Sequence, residues 1–259
     1  MLHGAGMNNT RSSAFWSAVF LVFTIYLGSA HMCSAQSRLG WGEIWQQRMT
    51  IGQAQLESAF KLAEAGKVNE ALALIDQVIA SDPSNWRSYF LKSAVLVLAK
   101  RGNEALKEID TSINLARKSN VSPGLLAELY ESKARSCVDY GRYGEARKSY
   151  EQAVRLEPSN PSTLNDLAWI LATAKDDHVR DSRRAVALAT KACTLSNWQN
   201  AFSIDTLAAA CASAGNFTDA VKYQQLAISR LSPDDRKGQL PGMEQRLQQY
   251  YIGRPFTSL

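Results

Sequence analysis

Blocks of about a dozen residues in which Leu, Ile, Val and aromatic side chains recur every three or four positions alternate along this chain with short polar breaks. That spacing places the apolar side chains of each block on one stripe of a helix. The predicted elements are therefore helices, and the predicted fold class is all-α. Three segments repeat one another in phase: AEAGKVNEALALIDQVIASDP (63–83), DYGRYGEARKSYEQAVRLEP (139–158) and ASAGNFTDAVKYQQLAISRLSP (212–233). Each carries a glycine, an apolar residue two later and an alanine three after that: Gly66, Val68 and Ala71; Gly141, Tyr143 and Ala146; Gly215, Phe217 and Ala220. Ala71 and Ala146 are 75 residues apart and Ala146 and Ala220 are 74, so one degenerate copy belongs in each interval. Ala105 and Ala185 mark those two copies.

A helix–turn–helix unit explains the residue types. Two antiparallel helices approach closely only where the facing side chains are small. Ala59, Ala134, Ala168 and Ala208 on the first helix of a pair (helix A) are therefore expected to face Ala71, Ala146, Ala185 and Ala220 on the second (helix B). Gly66, Gly141 and Gly215 supply the left-handed backbone that stops helix A abruptly. Asn85 and Asn160 suit N-caps, and Pro161 fits a first helical turn. One pair cannot bury its own apolar stripe, so neighbouring pairs must stack.

These residues resemble the tetratricopeptide repeat, a unit of about 34 residues. The third copy (127–160) is the best match, through Tyr130, Ala134, Gly141, Tyr143, Ala146, Tyr150, Ala153 and Pro158. The first (52–85) keeps Ala59, Gly66, Ala71 and Pro83. The second (86–119) lacks the turn glycine and has Arg117 where proline belongs. The fourth (161–199) carries about five extra residues, DDHVR, between its helices, and the fifth (201–234) closes at Pro233. The resemblance implies a right-handed α-solenoid of about five helix–turn–helix units with a C-terminal capping helix. Repeats four and five also resemble a bacterial variant of the family, through Asn165–Thr173, Asp205–Ala210 and the ending Leu247–Phe256, to which no reaction is attached.

The expected organisation is a signal peptide or signal anchor at 1–35, a lead-in at 36–51 whose Trp41 and Trp45 start or extend the first helix, and repeats one and two at 52–119. A linker follows at 120–126, then repeats three to five at 127–234 and a capping helix and tail at 235–259, the cap itself starting after Pro241. The N-terminal reading rests on the uncharged run Ala14–Ala30 behind Arg11, with small residues at Cys33 and Ala35. Cleavage is expected after Ala35, with Ala30 as second choice. An uncleaved anchor stays open, since ~17 helical residues span about 25 Å, near the lower limit for a bilayer. The expected location is thus extracytoplasmic (periplasmic or secreted), or membrane-anchored with the repeats outside the cytoplasm.

Composition adds little against this picture. Apolar residues are 46% and charged residues 20%, as in ordinary globular chains. The net charge of +5 is spread along the chain rather than gathered in a basic stripe, which argues against nucleic acid as a partner. Of three histidines only His178 lies beyond the export segment, in a polar turn with Asp176, Asp177 and Asp181 and with no second His or Cys placed to complete a metal site. No nucleophile motif, zinc-protease motif or phosphate loop occurs. No catalytic residue, metal, cofactor or small-molecule substrate is assigned. Cys137 and Cys211 fall at packed positions of helix A, and Cys193 and Cys211 lie on successive helices where an oxidising compartment permits a disulfide.

What remains is the inner wall of the solenoid, which in this family is lined by helix A. A protein or peptide partner is expected there, with Glu131, Arg135, Asn165, Trp169 and Asp205 as contact residues; Arg87, Phe90, Glu128 and Phe202 fall at further inner positions. An aromatic side chain and an arginine are favoured anchor types. Trp169 filling the seam between repeats three and four is the competing account. Leu56, Phe60, Phe90, Ala94 and Val97 make the first half of that wall apolar, and the basic clamp with which some members hold a terminal carboxylate is absent. The expected function is an exported interaction scaffold or adaptor. A membrane-anchored structural or assembly factor of the envelope is the alternative, and a hydrolase using carboxylates of repeats three and four is a third reading.

Overall fold

The computed structural model describes residues 40–257, with side chains from residue 52 onward. The expected signal segment, 1–35, and the side chains of Trp41 and Trp45 lie outside these described residues. Eleven helices and no strand occur among the described residues: α1 Gly40–Glu64, α2 Val68–Ser81, α3 Trp86–Leu98, α4 Gly102–Lys118, α5 Pro123–Asp139, α6 Tyr143–Leu156, α7 Pro161–Thr173, α8 Ser182–Leu195, α9 Ala201–Ser213, α10 Phe217–Arg230 and α11 Pro233–Tyr251. They alternate as helix A and helix B of five successive repeats, with α11 left over. None is long and apolar enough to cross a membrane.

The phased residues do what their chemistry suggested. Ala59, Ala71, Ala134, Ala146, Ala168, Ala185, Ala208 and Ala220 are all fully buried. Gly66, Gly141 and Gly215 adopt φ of 76°, 71° and 80°. In repeat two the place of that glycine is taken by Lys100 at φ 59°. The backbone bonding is the same in the three glycine turns and the lysine turn, with the N–H of the residue after the turn donating back to the carbonyl five positions nearer the N-terminus in the closing pattern of a helix: Lys67 to Leu62, Arg101 to Leu96, Arg142 to Cys137 and Asn216 to Cys211, at 2.7–2.9 Å. The turn geometry thus belongs to the repeat, and lysine tolerates it at a cost in strain.

The N-caps also follow the residues. Asn85 accepts from the Arg87 N–H, and Asn160 from those of Ser162 and Thr163, with Pro161 in the first turn. Asn200 accepts in the same way from Phe202 and Ser203. The first three B helices open differently, each with a basic residue paired to a glutamate three positions on: Lys67–Glu70, Arg101–Glu104 and Arg142–Glu145.

The described residues divide into two compact units, 40–136 and 137–257. In the first, α1 packs on α2 and α3, α2 on α3, and α3 on α4. Its core joins Leu56, Ile75, Val78, Leu91, Val95 and Leu96 around Ala59, Ala71 and Ala105. Two buried serines hold α3 against α4: Ser93 donates to the Ala105 carbonyl and Ser112 to that of Trp86, both at 2.8 Å. In the second unit α7 packs on α6, α8 and α9, α9 on α8 and α10, and α11 on α10. Contact of each A helix with its own B helix and with the next A helix is how a row of short pairs shares one core. That core holds Ile204, Leu207 and Cys193 with Met243 and Tyr250 from α11.

Two stretches differ from the expected organisation. Helix α5 already starts at Pro123, so 123–126 of the expected linker is helical and the break between α4 and α5 is only 119–122. The cap starts at Pro233 rather than after Pro241, and Pro241 lies inside it. Its ring leaves the carbonyl of Lys237 without an intrahelical donor, but both residues are solvent-exposed, so water takes that place. The insert of repeat four forms a compact loop. The Asp181 N–H closes its base on the Leu171 carbonyl, Val179 is buried, and Arg147 of α6 donates to the carbonyls of His178 and Val179.

Candidate functional site

The five residues expected to meet a partner divide between the two compact units. In the first, Glu131 and Arg135 stand one turn apart on α5. Glu131 is buried at 7% exposure, and its carboxylate accepts from Arg135 Nη2 at 3.2 Å. The guanidinium is the more exposed of the two and is the group this pair offers outward. The apolar stretch expected beside them is partly core: Leu56 and Phe90 are 1% and 2% exposed. Phe60, Ala94 and Val97 are half-buried. Arg87 stacks its guanidinium 4.5 Å from the ring centre of its neighbour Trp86.

In the second unit the structure brings two of the expected residues, Trp169 and Asp205, against the C-terminal segment. Asn165 and Trp169 are one turn apart on α7 and so share a face. Asn165 is half-buried and its Oδ1 has no hydrogen-bond partner. The Trp169 ring meets the ring of Phe256, with centroids 5.8 Å apart and planes inclined at 40°. The Arg246 guanidinium lies 5.5 Å from the Trp169 centroid and 5.4 Å from that of Phe256. The same guanidinium grips Asp205, with Nε and Nη2 donating to Oδ1 at 3.0 and 2.9 Å and Nη2 to Oδ2 at 2.8 Å. Gln224 Nε2 adds a bond to Oδ1 at 2.6 Å.

Asp205 therefore differs from its expected role. It is 5% exposed and committed to Arg246 of α11 and Gln224 of α10. Trp169 is not open groove: its ring lies against Phe256 and beneath the Arg246 guanidinium. Arg246, Phe256 and Gln224 were missed by sequence reasoning. The signal was a lone aromatic in a polar tail, behind a glycine that ends the last helix. Phe202, at 39% exposure, is the most open of the expected inner residues of this unit.

Charge elsewhere is arranged structurally. Glu151 of α6 receives Arg147 from its own helix and Arg184 from α8. Burial alone would raise its carboxyl, but the two guanidinium groups outweigh that and hold it below the ordinary carboxylate range. Lys92 of α3 joins Asp76 of α2 to Glu108 of α4, and these anions raise its ammonium despite burial. Cys193 and Cys211 sit in one core as separate thiols, not as the disulfide the sequence allowed. Burial pushes their pKa values up to about 12 and about 11. Among the described residues no three His, Cys, Asp or Glu side chains are grouped to hold a metal ion.

Comparison with known proteins agrees with this architecture. A family model described as tetratricopeptide repeat matches residues 61–118 and 132–178. A Dictyostelium discoideum protein named Protein STIP1 homolog is 32% identical over 133 residues, which is 50% of this chain but 22% of that protein. The mouse (Mus musculus) Protein O-mannosyl-transferase TMTC1 is 25% identical over 125 residues, 48% of this chain and 12% of that protein. The chain thus matches only about a fifth or less of the length of these curated relatives. Among solved structures, YrrB, described as a TPR protein with an unusual peptide-binding site, superposes with a TM-score of 0.56 at 16% identity, covering 73% of this chain and 90% of its own. MamA from Desulfovibrio magneticus RS-1 gives 0.57 at 12% identity, covering 69% and 94%. At such identities the two structures speak for the fold alone, and the fold is the all-α solenoid of stacked helix pairs. With the family match over 61–118 and 132–178 and the phased Gly and Ala positions, it follows that the chain carries tetratricopeptide repeats.

Proposed function

We propose that this chain is an exported interaction scaffold that holds an extended peptide or a helix of a protein partner against the helix A faces of its repeats. The observation that carries the reading is the seating of Phe256 on Trp169: a helix A face of this chain already receives a side chain from a non-helical segment. Arg135 in the first unit and Phe202 in the second are further anchors of suitable type, because partly exposed arginine and aromatic side chains dominate binding energy at protein interfaces. The solved relative YrrB, of the same fold, is described as having a peptide-binding site. Export rests on the uncharged run Ala14–Ala30, and a retained anchor would make the same repeats an envelope assembly factor. The hydrolase reading, which would use carboxylates of repeats three and four, loses part of its motive, since Glu131 of repeat three is paired with Arg135.

Photo-crosslinking amino acids placed at Arg135 and Phe202 in the full chain test the binding reading in cells of the source organism. A discrete protein adduct from these positions, and none from the exposed Lys148 on α6, is the expected result. Equal labelling from all three would overturn it. Sequencing of the mature N-terminus separates the two locations: Gln36 as first residue means cleavage, and an intact Met1 means a retained anchor.

A further inference from the structure

We infer that the face of Trp169 is a docking site for an aromatic side chain carried on an extended segment, and that the chain's own tail, Gly253–Thr257, is its resident ligand. Helix α11 ends in a left-handed turn at Gly253, φ 68°, with the Arg254 N–H donating to the Gln249 carbonyl at 2.9 Å. The segment beyond is non-helical and reaches α7, a helix of repeat four, past the last repeat that α11 covers. Capping does not require this reach. Met243 and Tyr250 of α11 already sit in the core at 0% and 1% exposure. In the tail itself, Gly253, Arg254, Pro255 and Thr257 are exposed and Phe256 alone is half-buried. One anchored ring with solvated residues on both sides is how a short peptide ligand sits on a surface.

Two further features make the site receptive. Arg246 lies about equally far from the Trp169 and Phe256 rings, so its cation faces any aromatic seated there. Its position is fixed from the other side by Asp205, which keeps the site formed when the tail leaves. A partner segment therefore displaces Phe256 and presents its own aromatic residue to Trp169 and Arg246. The partner clause rests on the scaffold reading above; the occupancy of the site by the tail does not.

A single half-buried ring holds weakly, but tethering raises its effective concentration to the millimolar range, so the resident tail competes strongly with any short free peptide. The test is fluorescence anisotropy with the labelled hexapeptide IGRPFT, the sequence of residues 252–257, titrated to millimolar concentration against the full chain. The Phe256→Ala variant should bind it at least tenfold more tightly than the unaltered chain does, and adding Trp169→Ala should remove the gain. Trp169→Phe, which keeps a ring, should retain part of it and covers the case in which the alanine variant fails to fold. Absence of binding to Phe256→Ala at millimolar peptide would overturn the inference, as would equal binding to both chains. So would a Phe256→Ala variant whose melting temperature falls by several degrees with no gain in peptide binding, which would make Phe256 part of the cap. Because the probe is the chain's own sequence, its binding is independent of whether a cellular partner is captured.

Discussion

Arg246 on the capping helix and Asp205 on α9 form a buried, two-pronged ion pair, their side chains 14% and 7% exposed. It joins residues 41 positions apart and is a buried polar fastening between the cap and the last repeat. A buried pair is costly to break from one side, because the remaining charge loses its partner in a poorly solvated place. Arg246→Ala should therefore lower stability by about 3 kcal/mol. The double change Arg246→Leu with Asp205→Leu should recover much of that loss. Urea melts of the three variants check the order.

The alanines of the helix seams leave no spare volume. Ala208 and Ala220 are fully buried on packed neighbours α9 and α10. Either one changed to leucine should cost about 1–3 kcal/mol through overpacking, while the same change at the exposed Ala54 should cost almost nothing. Thermal melts distinguish the two classes.

Lys100 sits in a backbone conformation that a side chain disfavours, and the equivalent positions in repeats one, three and five are glycine. Lys100→Gly should raise stability by up to about 1 kcal/mol. Gly141→Ala should lower it by about the same amount, through strain rather than collision, because an added Cβ there meets nothing within 4 Å. Opposite signs at two geometrically matched turns are the result to look for.

The carboxyl of Glu151 titrates below its ordinary range in the folded chain. A group depressed by folding contributes stability above its unfolded pKa and loses it as pH falls through the folded one. The Arg147–Glu151–Arg184 cluster should thus weaken only on the acid side, below about pH 4.3. Glu151→Gln should destabilise by about 1 kcal/mol at pH 7, and the gap from the unaltered chain should close at pH 3. Melting curves at the two pH values check the sign.

Cys193 and Cys211 should resist alkylation by iodoacetamide at pH 8 in the folded chain, since the thiolate is the reactive form and burial suppresses it. Both should react within minutes in denaturant. Mass spectrometry of the two peptides reads the difference.

The fold was legible because its determinants are local and repeated. A glycine where the chain must go left-handed, an alanine where helices touch and an asparagine where a helix begins each announce themselves within a few residues. Lys100 was not legible, because the turn it occupies is held by bonds among its neighbours and needs no glycine. Pro241 misled for the related reason that an exposed helix carbonyl tolerates losing its donor. The site was legible by halves. The types and positions of Asn165 and Trp169 pointed to one helix face, but Asp205 could not be assigned from its own segment: its partner, Arg246, is 41 residues away, and nothing in either segment names the other. Phe256 shares that difficulty. A tail that folds back obeys no periodicity, so only the coordinates connect it with α7.

The loop that interrupts repeat four is closed at its neck by the bond between Asp181 and Leu171, and beyond it the chain resumes as though nothing had intervened, with Ala185 fully buried. Length added at its exposed tip, Lys175–Asp177, therefore leaves the two helices in phase. The scaffold thus has a place where new sequence, whether an epitope or a whole small domain, can be spliced in without disturbing the stack.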